Sequence, residues 1–236
     1  MIQFLPHPFQ EEPKPRDKRH YNIWVAGTLG SGRRGLIRRY TEGHYEYHVL
    51  WHEPGEKNLV FLDTILHVEL FSVSGKLEIS SLDCKVLDGI LLLYSVTRRD
   101  SFELLNDVYI EIKNKLYDGQ DPPVIVVAAM TDLPAENWQV QPREGKSFAR
   151  RIGANFGECE ALTGAGVDEV MDQLIMSMVE ARSKSEQKQS AGGEDTNKVL
   201  KGDRFAYSET NEVKSNLFRK LKAILRRVFG YKVSAN

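Results

Sequence analysis

The chain has 236 residues, the length of one ordinary domain with tails. Its 41% hydrophobic and 28% charged residues suit a globular protein, and a formal net charge of −1 gives no general attraction to a polyanion, so no nucleic-acid partner is expected. Cys84 and Cys159 are too few and too far apart for a disulfide framework or a CxxC metal pair.

Residues 1–20 carry four prolines and many charges, with no long apolar core, and read as a flexible arm rather than a secretory signal. Tyr21–Ala26 is a short apolar run before a glycine-rich turn, the pattern of a buried strand. Gly35–Tyr40 looks helical. From His44 to His52 apolar and polar residues alternate, which predicts a strand. On a strand, His44, His48 and His52 stand about 13 Å apart from one to the next, too far to share an ion, so no metal site is expected there.

Leu59–Leu62 and Ile65–Val73, joined by Asp63-Thr64, predict a β-hairpin. Gly89–Val96 and Val124–Ala129 are continuous apolar runs, as in central parallel strands covered on both faces. Between them Ser101–Leu116 has helical periodicity, with Ser101 placed as an N-cap. Pro142–Ile152 predicts a helix that Gly153 stops, Ala154–Cys159 a short strand, and Val167–Val179 an amphipathic helix. Strands alternating with helices imply a parallel α/β sheet. Residues 185–212, rich in Ser, Gln, Gly, Lys and Glu, read as a linker before a last helix at Val213–Phe229. No apolar run reaches the roughly 18–20 residues of a membrane span.

The first strand runs into Gly27-Thr28-Leu29-Gly30-Ser31-Gly32-Arg33-Arg34, a GxxxxG turn between strand and helix. A working phosphate loop continues with Lys and Ser or Thr: the lysine bridges the outer phosphates and the hydroxyl holds Mg²⁺. Arg33 has the charge to meet a phosphate, but Arg34 has no lone pair to offer an ion. The glycine frame reads equally as an anion nest at a helix N-terminus or as a tight turn that only joins two elements.

From Tyr21 to Lys184 the chain resembles the Ras family of small GTPases. The resemblance rests on several blocks in order: the loop above; Asp88–Val96 followed by Asp100-Ser101-Phe102-Glu103; Val126–Leu133; Arg143–Gly153; and Glu158–Thr163 with Gly166-Val167. It implies a P-loop G domain, with a mixed, mainly parallel six-stranded sheet and helices on both faces. Carried over residue by residue, the family's guanine-reading NKxD falls on Ala129-Met130-Thr131-Asp132, where only Asp132 remains. Asp132 equally reads as an exposed loop acid or a helix cap. In the SAK-like loop Ala161 remains, between Glu160 and Leu162. The magnesium-linked aspartate of DxxG has become Ser72, Gly75 survives, and the water-orienting glutamine has become Lys76. The first-switch threonine has no clear counterpart, Thr41 sitting too early. Phosphoryl transfer relies on several charge-stabilising groups together, and losing one can cost roughly 2.7–4 kcal/mol.

The tail segment Val213–Phe229 gathers Leu217, Phe218, Leu221, Ile224, Leu225 and Val228 on one helical side. Arg219, Lys220, Lys222, Arg226 and Arg227 lie on the other. This suits an anionic membrane surface or a partner groove, or packing on the chain's own domain. The last four residues hold no cysteine, so the prenylation signal common in Ras-like proteins is not expected.

The expectation is therefore an arm (1–20), a Ras-like G domain (21–184), a linker (185–212) and a basic amphipathic tail (213–236). The expected function is that of a pseudo-GTPase, a protein-binding or scaffolding module in signalling or trafficking that presents its former switch surface to a protein partner. Its place is the cytoplasm, including the cytoplasmic face of a membrane. The nucleotide-binding candidates are Gly27, Leu29, Gly30, Ser31, Gly32, Arg33, Arg34, Asp132 and Ala161; no catalytic or metal-binding residue is assigned. GTP or GDP is allowed only weakly, and Mg²⁺ is not expected. The alternatives are a divergent GTPase that still binds GTP or GDP as a switch, and a lipid-surface protein acting through its tail.

Overall fold

The computed structural model describes residues 18–45, 54–61, 64–75, 78–79, 87–117 and 119–191. In chain order the elements are β1 (Lys18–Gly27), α1 (Arg33–Glu42), β2 (Gly55–Phe61), β3 (Thr64–Ser74), β4 (Gly89–Ser95), α2 (Arg99–Glu103), α3 (Leu105–Lys115), β5 (Val124–Ala129), α4 (Pro142–Arg151), β6 (Asn155–Cys159) and α5 (Val167–Ala191). A 3₁₀ turn, Ala135–Asn137, follows β5.

The six strands form one sheet in the order β2-β3-β1-β4-β5-β6. Only β2 runs antiparallel, against β3; every other pairing is parallel. This is the mixed, mainly parallel sheet expected of a Ras-like G domain.

All seven residues of β4 are buried, which explains its unbroken apolar run. One face of the sheet offers Trp24, Ala26, Ile90, Leu92, Tyr94, Val126 and Ala128 to Leu105, Val108 and Ile112 of α3 and to Phe148 and Ala149 of α4. The other face is covered by α1, through Leu36, Ile37 and Tyr40, and by α5, through Val170, Met171, Leu174, Ile175 and Met178.

Several predicted boundaries move, each for a physical reason. β1 begins at Lys18, inside the expected arm, because its backbone pairs with β3 from Lys18↔Ile65 onward and a ladder does not require apolar side chains. β2 reaches back to Gly55, since antiparallel pairing carries the polar Glu56, Lys57 and Asn58 along β3. α1 is longer than Gly35–Tyr40 at both ends, closing on Gly43 at φ +77°.

The predicted helix from Ser101 to Leu116 divides into α2 and α3 at Leu104. Ser101 is not the N-cap, which is Arg98. Its buried hydroxyl donates to Arg98 O at 2.7 Å and accepts from Ser95 N at 3.0 Å, tying the helix to the end of β4. The last helix runs on from Val179 to Ala191, through residues assigned to the linker, because Glu, Lys, Gln, Arg and Ala are good helix formers. The strand expected at 44–52 lies outside the described residues from 46 onward, and His44 and Tyr45 are not in a strand. The tail segment 213–229 also lies outside them. Among the described residues no helix is long and apolar enough to cross a membrane.

Leu92 is fully buried in β4 between the two helical layers. Leu92→Ala is expected to destabilise the fold by about 2–5 kcal/mol, the range for a large-to-small change at a packed site. Urea unfolding followed by circular dichroism checks it.

Candidate functional site

Parallel strands present their C-terminal ends on one edge, and in open α/β sheets ligands bind where the strand order reverses. Here the chain steps from β1 outward to β3 and back across to β4, so the crevice lies beyond β1 and β4. The loop Gly27–Gly32 occupies that place. A Cβ on Gly27 would stand 2.4 Å from Leu93 O, so only glycine lets the loop leave the sheet so close to β4. Gly30 and Gly32 sit at φ +78° and +93°, the left-handed region that favours glycine. Gly32 O accepts from Leu36 N at 3.0 Å, which starts α1. No side chain caps that helix and no acid stands in its first turn.

Arg33 is the centre of this loop. Its side chain is folded inward and the residue is only 6% exposed. Nη1 donates to Gly27 O and Thr28 O and reaches Ser31 Oγ at 3.4 Å; Nε donates to Ser72 Oγ at 3.3 Å. Burial lowers its pKa to about 10, against the opposing pull of Glu78, so it remains a cation at neutral pH. Buried Thr28 Oγ1 has no hydrogen-bond partner among the described residues.

Ser31 is fully buried, while Leu29, Gly30 and Arg34 are exposed. Arg98 holds the loop from the far side, donating from Nη1 to Leu29 O at 2.9 Å while its Nη2 pairs with Asp100 Oδ2 at 2.6 Å. A Cβ on Gly30 would collide with that guanidinium.

The loops after β5 and β6 form the other wall. Met130 sits at φ +64°, uncommon for a non-glycine residue. Its sulfur accepts from Ser95 Oγ at 3.1 Å, and its methyl end lies beside Gly32. Thr131 Oγ1 donates to Glu160 Oε1 at 3.3 Å and Thr163 Oγ1 to Glu160 Oε2 at 2.7 Å, so the Glu160 carboxylate is tied to both loops. Arg39 of α1 donates from Nε to Ala161 O at 2.7 Å and from Nη2 to Leu162 O. Ala161 and Tyr45 converge on Gly35, where a Cβ would stand 3.2 Å from Ala161 Cβ and 2.9 Å from the Tyr45 ring. Asp132 is exposed on the neighbouring loop. Cys159, buried between these walls, has its thiol pushed up to about 12 by burial, then by Glu160 and Asp132, and is neutral at ordinary pH.

Every sequence-predicted site residue thus lies on this edge, with the Gly27–Arg34 loop on one side and Asp132 and Ala161 on the other. Arg39, Arg98 and Tyr45 also shape this edge, through contacts across the fold that leave no local signature in the sequence. Thr41 turns back to its own helix, donating to Ile37 O at 3.0 Å. Lys76 lies outside the described residues, and Gly75 adopts φ +67°.

The sequence profile of the Ras family matches residues 22–180. The chain belongs to the Ras family. It is 31% identical over 162 residues to Ras-like protein 1 of Saccharomyces cerevisiae, an overlap of 66% of this chain and 52% of that protein. It is 30% identical over 165 residues to a Ras-like protein of Laccaria bicolor, covering 66% of this chain and 77% of the relative. With Ras-like protein rasU of Dictyostelium discoideum it shares 27% over 165 residues, 68% and 76% of the two chains. The matched region is the domain built on the sheet, and about half of the yeast protein lies beyond it.

The family implies Mg²⁺ with a guanine nucleotide, and the side chains here do not fit the ion. Arg34 offers no lone pair where an ion would need a hydroxyl. Ser72 offers no carboxylate, and its oxygen already faces the Arg33 guanidinium. A dication placed between them would meet two arginines.

Because Arg33 is hydrogen-bonded to the loop carbonyls, Arg33→Met is expected to lower stability by roughly 1.5–3 kcal/mol, the range for a hydrogen bond to a charged group. Chemical denaturation measures it. No loss would mean that the inward contacts contribute nothing.

Proposed function

We propose that this Ras-family protein works as a pseudo-GTPase, a binding or scaffolding module in signalling or trafficking that recognises a protein partner through its former switch surface. One observation carries the reading: the cation at the head of α1 is spent on the loop's own carbonyls and on Ser72, at the position where the family places a magnesium-linked carboxylate. Arg34 beside it and Met130 in the guanine-reading segment point the same way. With the lysine and the two side chains tied to the ion all replaced, the charge stabilisation that phosphoryl transfer needs has lost its usual sources.

A second reading is favoured by a separate observation. The glycine frame has Gly30 and Gly32 at positive φ, and among the described residues α1 has no side-chain cap and buried Thr28 Oγ1 has no partner. Ala161 and Tyr45 meet beside Gly35 in the first turn of α1. These features suit a divergent switch protein that retains GTP or GDP without hydrolysing it efficiently, held by the nest and by Asp132. Calorimetric and thermal-shift titrations with GTP and GDP, each with and without Mg²⁺, separate the two. The pseudo-GTPase reading expects weak or no binding and no Mg²⁺ effect. A large Mg²⁺-dependent shift at micromolar GTP would sink it.

The basic segment Val213–Phe229 supports a cytoplasmic membrane-surface role on sequence grounds. Each juxtamembrane basic residue adds about 1 kcal/mol of attraction to an anionic leaflet. Co-sedimentation with anionic vesicles at low salt is expected for the full chain and lost on Leu221→Glu. Equal sedimentation of the full chain and a chain ending at Lys184 would rule out a lipid role for the segment.

A further inference from the structure

At the opposite end of β1 from the phosphate loop, parallel pairing sets His20 beside His67 of β3. The two rings meet edge to face with centroids 4.9 Å apart. Side chains two residues apart on a strand share a face, so Glu69 lies next to His67. Antiparallel pairing brings Asn58 and Glu56 of β2 opposite His67 and Glu69. One imidazole nitrogen from each histidine and one carboxylate oxygen of Glu69 all lie within 4.8 Å of one another. From His20 to Gly27 the strand runs about 23 Å at 3.3 Å per residue, so this cluster is separate from the nucleotide edge.

The hydrogen bonding of His67 decides what the cluster lacks. His67 is 8% exposed. Its Nδ1 stands 2.8 Å from Asn58 Oδ1, an acceptor, so Nδ1 carries the proton. In the neutral ring Nε2 is then a bare lone pair. It faces Glu69 Oε1 at 3.3 Å and Glu56 Oε2 at 3.9 Å. A lone pair against two carboxylates is repulsive unless a cation sits between them. A proton is one candidate, but it leaves the second imidazole, packed against the first, without a role. A metal ion would engage both rings in their neutral form.

The distances suit an ion. Tetrahedral bonds of about 2.0–2.2 Å hold donors about 3.3–3.6 Å apart, close to the His67–Glu69 separation. His20 is exposed, and one of its ring nitrogens already stands within 4.8 Å of the other two donors. The outer partner also matches, since metal-ligating histidines usually donate their second nitrogen to an oxygen that fixes the ring, as Asn58 does here.

We propose that His20 and His67 Nε2, with the Glu69 carboxylate, form a binding site for a divalent transition-metal ion of the zinc class, with Glu56 or water completing the shell. Two imidazoles and a carboxylate select Zn²⁺ and its neighbours over Mg²⁺ and Ca²⁺, which take oxygen ligands. The ion clamps β1 to β3 at the sheet's outer end, with β2 held through Asn58. The three ligands are separated by 47 and 2 positions in the chain, a spacing with no motif, which is why no metal residue was assigned from sequence.

The test uses the full chain, stripped with chelator and titrated calorimetrically with ZnCl₂, with Co²⁺ absorption as a report of the ligand set. Saturable binding of one Zn²⁺ per chain and a rise in thermal midpoint are expected. His20→Ala, at an exposed position, and Glu69→Gln should each weaken binding at least ~10-fold, and Asn58→Leu by about 10–100-fold, the usual effect of losing an outer partner. Circular dichroism of each variant checks folding. A chain with His44, His48 and His52 all changed to Gln should bind as the parent does. The site is overturned by absence of saturable Zn²⁺ binding, by an equal response to Mg²⁺, or by binding that survives His20→Ala but disappears in the triple variant.

Discussion

The geometry of the Gly27–Gly32 loop and of the sheet edge around it depends on one buried cation. Arg33 places its guanidinium under the loop that precedes it, and a charge so far from water must be met by oriented oxygens. Gly27 O, Thr28 O, Ser31 Oγ and Ser72 Oγ meet it. Gly30 and Gly32, at φ +78° and +93°, let the loop turn tightly before α1 starts at Arg33. The same guanidinium links the loop to β3 through Ser72. One side chain therefore sets both the shape of the loop and the direction in which its positive charge acts.

Arginines fix the surrounding loops as well. Arg98 reaches across from the end of β4 to Leu29 O, and Arg39 spans from α1 to Ala161 O and Leu162 O. Each is a side chain from one element donating to main-chain carbonyls of another, so irregular loops are held against the rigid parallel strands. Glu160 is restrained in the same way by Thr131 and Thr163. The edge is thus pre-organised by contacts internal to the protein, with much of its polar capacity already engaged.

The sheet explains how one domain supports two chemically different regions. Its centre, the Ile23–Ala26 part of β1 with β4 and β5, is apolar and covered by helices, which fixes β1 between its two ends. At its C-terminal end β1 delivers the glycine loop. At its N-terminal end, among the polar residues of β2 and β3, it delivers His20 to His67 and Glu69.

The continuous apolar runs of β4 and β5, the Pro142 start and Gly153 stop of α4, and the glycine frame before α1 were all legible in the sequence, because each is a local signal: burial on both faces, a fixed φ, a positive φ. So was the chemistry offered at Arg34, Ser72 and Met130, since residue type alone carries it. The rest needed tertiary structure. Nothing in residues 18–20 or 55–58 announces a strand; they are strands because β3 offers them a ladder. Ser101 has the composition of a cap, yet its hydroxyl serves the end of β4 instead. The inward turn of Arg33, the reach of Arg39 to the last loop and the meeting of His20 with His67 join residues distant in sequence or depend on a side chain's direction. Composition and periodicity hold no record of either, because such contacts exist only once the sheet has set its register.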